Sequence, residues 1–367
     1  MTNQRETGGT RMTSIRTSRR RRRTALGALG VAAAMLISAC NASTSTGGAS
    51  GASGNGGNSG GSSGSGQAAS SGNKPTITLV TNSWEGSLAN NVVAQYVIEH
   101  DLHYPVKLLD LSEIPAWPAT AKGQVSAVLE EWGHAQQYNT YVTGSHQVID
   151  AGQEGPLGNI GWYVPTYLMK AHPELATWKG VQKDWKMFVT PQSAPQGQFL
   201  DGSPSYVTND AALVKNLHIN MKVIYAGSEA AQLTEIETAY KQKKPLIFYW
   251  YTPQYQNAIY KFSQVQLPPW TTTCAKLAAS KINCAYPPYD LYKIENAKLP
   301  STAPAVAAFI KRFHWTSDDQ DQVAFDLAVK KMSNAAAGKA FVDSHASLVQ
   351  SWLHGPDTKI VVPPPGT

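Results

Sequence analysis

Beyond about the first seventy residues, the chain alternates short apolar, β-branched runs with longer stretches whose apolar positions recur at helical spacing. Residues 76–84, TITLVTNSW, form a β-rich run that ends at a polar turn. EGSLANNVVAQYVIEHD (85–101) then has helical periodicity, with Ser87 or Asn90 near its start. PVKLLDL (105–111) reads as a second strand, IPAWPATAKG (114–123) as a helix closing at Gly123, and VSAVLEEW (125–132) as a third strand. GWYVPTYLM, WKMFVT, KVIYAG and PLIFYWY continue the strand series. SEAAQLTEIETAYKQKK (228–244) is an amphipathic helix between the last two, and the stretch from Pro304 to Trp352 reads as mostly helical. Strands that alternate with helices predict mostly parallel sheets, which bind ligands beyond the carboxyl ends of their strands.

Rings gather at those ends. Trp84 closes the first strand, Trp132 the third, and Trp250-Tyr251 the aromatic run KKPLIFYWYTPQY (243–255). A ring midway along a strand is ordinary core, whereas a ring beside the terminal turn sits where an α/β sheet opens. Neighbouring residues of a strand point to opposite faces, so Trp250 and Tyr251 cannot both face one cleft while the strand continues.

The N-terminus changes the meaning of the overall charge. Arg16 and the run 19–23 precede a short apolar segment, TALGALGVAAAML, and then ISAC with Cys40. This is the layout of a secretory signal, too short to span a bilayer as a mature helix. Residues 1–39 hold eight arginines and one glutamate, against a net +6 for the whole chain, so the remainder is close to neutral. No basic partner surface is implied, and nucleic acid is disfavoured. Residues 41–74 are almost wholly Gly, Ser, Ala, Asn and Thr, the composition of a flexible tether. Its GxSxG matches lack the strand and helix that a nucleophile elbow needs. In an oxidising compartment Cys274 and Cys284 form a natural disulfide pair; zinc is the alternative, with no Cys or His nearby to complete a site.

Several landmarks occur in order along residues 76–352: NSWEGSLANNVVAQYV, AWPATAKGQVSAVLEEW, GWYVPTYL, GSPSYV, AGSEAAQLTEIETAYKQKKPLIFYWYTP and FHWTSDDQDQVAFDLA. Together, behind a cysteine that resembles a lipobox, they resemble the glycine betaine/choline-type substrate-binding proteins of ABC importers. The resemblance implies an α/β, two-lobed periplasmic-binding-protein-like fold (type II). Each lobe would be a mostly parallel sheet flanked by helices, with the ligand cleft between lobes. It divides the chain into a signal peptide (1–39), a lipid anchor at Cys40 with a linker (40–74), lobe I (75–158), lobe II (159–288), and a return to lobe I with the tail (289–367). It also implies a monomeric, extracytoplasmic lipoprotein on the outer face of the cell membrane. Its partners would be a quaternary ammonium ligand and the permease and ATPase subunits of the transporter.

Such a ligand has no N–H to donate, so aromatic faces must hold it. The resemblance assigns that role to Trp132, Tyr206 and Tyr251, with Trp84 as a further ring. Trp250 is the alternative should the strand register differ by one. Tyr206 and Tyr251 stand where the family usually has tryptophan. Ser205 lies in the Gly-rich turn 201–207, whose N–H groups would meet a ligand carboxylate. Glu131, with Glu130, sits beside Trp132. A glutamate facing the cleft would attract a cation and repel a carboxylate, which brings choline or another carboxylate-free cation in beside glycine betaine. No HExxH set, Walker A loop or cofactor motif is present, so no cofactor is expected. A secreted α/β enzyme built on Glu131, His134 and Ser228 is the competing class, without triad spacing to support it.

Overall fold

The computed structural model describes residues 74–365. The expected signal peptide, linker and lipid-bearing Cys40 lie outside these residues. Nine strands are present among them: β1 Ile77–Thr81, β2 Val106–Asp110, β3 Ala127–Glu131, β4 Val148–Pro165, β5 Gly197–Asp201, β6 Met221–Tyr225, β7 Phe248–Thr252, β8 Phe262–Val265 and β9 Pro288–Asn296. The helices that position the site are α1 Glu85–His100, α2 Glu113–Ala121 and α3 Glu229–Gln242. A C-terminal set follows: α4 Pro304–Arg312, α5 Ser317–Ala328, α6 Asn334–Ser344 and α7 Ala346–His354.

The sheet runs β2-β1-β3-β9-β4-β7-β5-β6, with β8 added beside β4. β1 pairs in parallel with β2 and β3, and β5 pairs in parallel with β6 and β7. Between these two parallel groups run β4 and β9, antiparallel to each other and to their other neighbours. β4 changes partner along its length: Asn159 pairs with Pro288 of β9 and also with Thr252 of β7. The sheet therefore has two halves that meet along β4 and β9.

Period-two alternation sorts each strand between two layers. In β1, Ile77 and Leu79 join a core with α1 and the C-terminal helices, while Val80 joins Trp117, Val128 and Tyr292 on the other face. In the second half, Phe199 and Leu200 of β5 fall into separate clusters in the same way. Helix α5 starts with a capping box: Thr316 Oγ1 accepts from Asp319 N–H while the Asp319 carboxylate accepts from Thr316 N–H. Two orphan amides are thereby satisfied, which fixes the rotation of a helix whose Gln320 reaches the centre of the molecule. Cys274 and Cys284 are joined by a disulfide, Cα–Cα 6.4 Å.

Some sequence expectations fail here. WKMFVT is not a strand: Trp185–Phe188 is a helical turn that buries Phe188 and leaves Lys186 exposed, and only Val189 beyond it makes an isolated bridge, to Gly197. GWYVPTYLM is the end of the long β4, and the chain turns into a helix at Thr166–Ala171. β5 and β9 carry no legible signal. PYDLYKIEN interleaves charges with rings, and only tertiary partners let Lys293 be buried: its Nζ donates to Phe313 O and Thr358 Oγ1. The two parallel triplets match the expected pattern, while the antiparallel pair at the centre does not arise from strand–helix alternation.

Candidate functional site

The loops at the carboxyl ends of β1, β3, β5 and β7 converge between the two halves. There Trp84, Glu113, Trp132, Tyr206, Val207, Tyr249 and Tyr251 line a small pocket with a free volume of about 10 Å3. That is about the space a single water needs, so the rings stand closed against one another. Trp84, Trp132 and Glu113 come from one half, the three tyrosines and Val207 from the other. The rings meet mostly edge to face across this boundary. Trp84 and Tyr206 have centroids 5.5 Å apart at 87°, and Trp132 and Tyr251 5.3 Å apart at 79°. Tyr249 lies 6.1 Å from both Tyr206 and Tyr251. All five rings are buried, and desolvation pushes the tyrosine hydroxyls of Tyr206, Tyr249 and Tyr251 upward, so they stand as neutral phenols.

Two glycines make room for the rings. A Cβ on Gly158 of β4 would come within 2.6 Å of the Trp132 ring, and one on Gly202 within 2.6 Å of the Tyr206 ring. Each ring lies flat against bare backbone, which no larger residue would permit.

One carboxylate aims both tryptophans. Glu130 Oε1 accepts from Trp84 Nε1 and from Trp132 Nε1, each at 2.7 Å. Its Oε2 accepts from Asn90 Nδ2 at 2.8 Å and Gln320 Nε2 at 2.7 Å. With their N–H edges tethered to Glu130, the indoles turn other parts of their surface to the pocket. Burial pushes the Glu130 carboxyl up to about 7, against the lowering effect of its hydrogen bonds.

A second carboxyl group reaches the pocket wall itself. Glu113 opens α2, is 2% exposed, and its Oε1 has no hydrogen-bond partner. Behind it, His134 Nδ1 lies 3.9 Å from Glu113 Oε1 and 3.1 Å from Glu131 Oε2. Burial holds both Glu113 and Glu131 well above the usual carboxylate range. These three residues bring one donor atom each within 4.8 Å of one another, the set among the described residues able to hold a metal ion. Glu113 is also the one member that lines the ring pocket.

Trp84, Trp132, Tyr206 and Tyr251 thus share one pocket. Trp250 points the other way, into a cluster with Leu200, Ile236 and Phe248, its Nε1 donating to Asn257 Oδ1 at 2.9 Å. Glu131 is fully buried one step behind the wall, against His134. Ser205 is half-buried away from the lining, its N–H directed at Ser203 Oγ. The residues that sequence reasoning left out are Glu113, Val207 and the carboxylate role of Glu130. Strand alternation does put Tyr249 on the face of Tyr251. Nothing local marks Glu113, which reads as an ordinary first-turn acid of a helix.

Residues 75–344 match the family described as the substrate binding domain of ABC-type glycine betaine transport system. The chain is 24% identical over 298 residues to the trimethylamine N-oxide-binding protein of Pelagibacter ubique (strain HTCC1062), spanning 77% of this chain and 92% of that protein. Its fold is similar to that of lactococcal OpuAC in its closed-liganded conformation with glycine betaine: TM-score 0.60 and 18% identity, over 76% of this chain and 99% of the other. It is similar also to an ABC-transporter choline binding protein in complex with choline, at TM-score 0.63 and 13% identity, over 79% and 95% of the two chains. The fold is the two-lobed, type II periplasmic-binding-protein architecture.

Proposed function

This chain belongs to the family of substrate binding domains of ABC-type glycine betaine transport systems, and from that premise we propose that it captures a small, carboxylate-free methylated ammonium compound in its ring pocket. As a member of the family it is an extracytoplasmic receptor that serves an ABC importer for betaine- or choline-like ligands, and it is not an enzyme.

The observation that carries the proposal is the pocket lining: five aromatic rings and one unpartnered carboxyl oxygen, with no lysine, arginine or histidine. A methylated ammonium spreads its charge over poorly hydrated methyl groups. Trp and Tyr faces offer it negative quadrupole and apolar contact together, about 0.5–2 kcal/mol per ring once water is excluded. Five such rings supply about 3–10 kcal/mol of gross attraction, the same order as the roughly 8 kcal/mol of a micromolar complex.

The polar groups favour a ligand without a carboxylate. A carboxylate needs donors, and the turn 201–207 has already committed three of its amides. Gly202 N–H donates to Asp201 Oδ1 at 2.7 Å, Ser205 N–H to Ser203 Oγ at 3.3 Å, and Tyr206 N–H to Ser203 O at 3.0 Å. Glu113 supplies one free oxygen: as the neutral carboxyl that burial favours it can donate to an N-oxide oxygen, and ionised beside a bound ammonium it accepts from a ligand hydroxyl and repels a carboxylate. Choline and the N-oxide bound by the Pelagibacter relative both fit this description.

Calorimetric titration with choline, trimethylamine N-oxide and glycine betaine tests it. Choline or the N-oxide should bind at least tenfold more tightly than glycine betaine. Tightest binding of glycine betaine would overturn the carboxylate-free reading, and no binding of any of the three would overturn the ring-cage reading.

Two further parts of the reading concern placement and motion. Cys40 carries a lipid that anchors the protein, and the sequence pattern around it supports this; radiolabelled palmitate should enter the full chain and not a Cys40→Ala variant. The lobes divide near residues 158/159 and 288/289 and close on the ligand about these crossings, a division supported by the change of strand partner at Asn159. Small-angle scattering should show a more compact protein with saturating ligand than without.

A further inference from the structure

Helix α1 begins in an unusual way. Its N-cap is Trp84, an aromatic residue with no side-chain cap, because that position has to deliver an indole to the pocket. The preferred capping residues carry a short side-chain oxygen that satisfies one of the orphan amides of the first turn. Here that oxygen comes from the other half of the molecule. Glu229 Oε2 accepts from the Glu85 N–H at 2.8 Å, across 144 residues of sequence.

Glu229 is itself the first residue of α3, whose own start is capped locally by Ser228 Oγ accepting from Ala231 N–H. Its carboxylate is therefore free to bridge, and it lies at the positive ends of two helices at once. Its other oxygen, Oε1, accepts from Tyr251 Oη at 2.8 Å and from Gln254 Nε2. The backbone joins the same points in the reverse direction, with Glu229 N–H donating to Ser83 O at 3.3 Å. Glu229 is 2% exposed. One side chain thus ties Tyr251, a ring of one half, to the helix start that carries Trp84, a ring of the other.

We propose that Glu229 is a cross-cleft latch: it supplies in trans the N-cap that Trp84 cannot, so that α1 is capped only when the two halves are shut and Tyr251 stands in place against the ligand. Parting the halves removes the acceptor from Glu85 N–H and a partner from Tyr251 Oη in one event. The latch holds the cage closed rather than touching the ligand, so Glu229 is a positioning residue. The role rests on the reading that the halves open and close, and it gives a part to the acidic residue inside the AGSEAAQL landmark.

The test uses the full chain with two variants. Glu229→Ala removes both acceptors. Glu229→Gln keeps a carbonyl for Glu85 N–H and presents an amide to Tyr251 Oη, which can accept as well as donate. Hydrogen exchange is followed at the Glu85 and Gly86 amides with and without saturating choline, together with choline association and dissociation rates by tryptophan fluorescence. Glu229→Ala should speed exchange at Glu85 at least tenfold. It should raise the choline dissociation rate at least tenfold while changing association less than threefold. Glu229→Gln should restore most of both. Equal exchange at Glu85 in wild type and Glu229→Ala, with choline present and absent, overturns the latch. So does a loss of affinity that falls on association alone. If wild type fails to bind choline, the ligand reading is what suffers, and the exchange comparison still decides the latch.

Discussion

Replacing Glu130 separates its part in aiming the cage from its part in the core. All four groups around its carboxylate are donors: the indoles of Trp84 and Trp132 on Oε1, the amides of Asn90 and Gln320 on Oε2. Glu130→Ala leaves the two buried indole N–H groups without an acceptor, while Asn90 Nδ2 keeps Gly86 O and Gln320 Nε2 keeps Glu154 Oε1. At about 1–3 kcal/mol for each unsatisfied group, the loss is about 2–6 kcal/mol. Glu130→Gln is different. Its carbonyl can stay on the two indoles, which cannot turn round, while its NH2 faces Asn90 and Gln320, whose amides can flip to present oxygen. A flip at Asn90 gives up its Nδ2 bond to Gly86 O at 3.1 Å, and one at Gln320 its bond to Glu154 Oε1 at 3.2 Å, which sets the residual cost of this variant.

Glu130→Gln should therefore keep stability within about 2 kcal/mol and affinity within about tenfold, while Glu130→Ala loses both. The pH profile adds a second readout. Burial raises the folded-state carboxyl to about 7, above its unfolded value, so the native state binds more protons between the two. Its contribution is fully present below the unfolded pKa and is lost as pH rises through about 7. Glu130→Gln should flatten that part of the stability–pH curve, read by urea unfolding at pH 4.5–7.5. Equal damage from the Gln and Ala variants, or wild-type affinity in Glu130→Ala, would refute the idea that this carboxylate holds the rings.

Tyr251→Ala should weaken choline binding at least tenfold with modest loss of stability, whereas Trp250→Ala should cost about 3–5 kcal/mol as a buried ring and retain binding; calorimetry and urea unfolding on both variants separate the two faces of β7. Gly158→Ala should drive the Trp132 ring from its seat, costing about 1–3 kcal/mol by overpacking and at least tenfold in affinity, and unchanged binding would show that the ring can shift freely. Glu113→Gln should weaken choline binding about tenfold without weakening glycine betaine, narrowing the preference between them; a parallel loss for both ligands in calorimetry would count against a selective role for this carboxyl.

Much of the site's apolar half is legible along the chain, because a strand sorts its side chains by a local rule. In β7, alternation alone separates Phe248 and Trp250 from Tyr249 and Tyr251, and the two pairs do occupy different clusters. Rings at strand ends can be read the same way, since the sheet geometry that exposes a strand's carboxyl end is repeated at each strand. The acidic half is not legible. Glu113, Glu130 and Glu229 look like surface carboxylates in a first helical turn or at a strand end, because hydropathy treats any glutamate as solvated. Glu130 and Glu229 are buried only because partners 40 or more residues away meet them: Trp84 and Asn90 on Glu130, and the amide of Glu85 on Glu229. Each of those bonds offsets a desolvation cost that no local window can register. The sequence by itself determined which rings of a strand share a face and which helices flank the strands, both short-range consequences of backbone periodicity, while the family resemblance chose the face. Which carboxylates sit dry among those rings, and how one of them caps a helix across the cleft, was decided by the tertiary structure, since only the assembled fold supplies the donors that allow a charge to leave water.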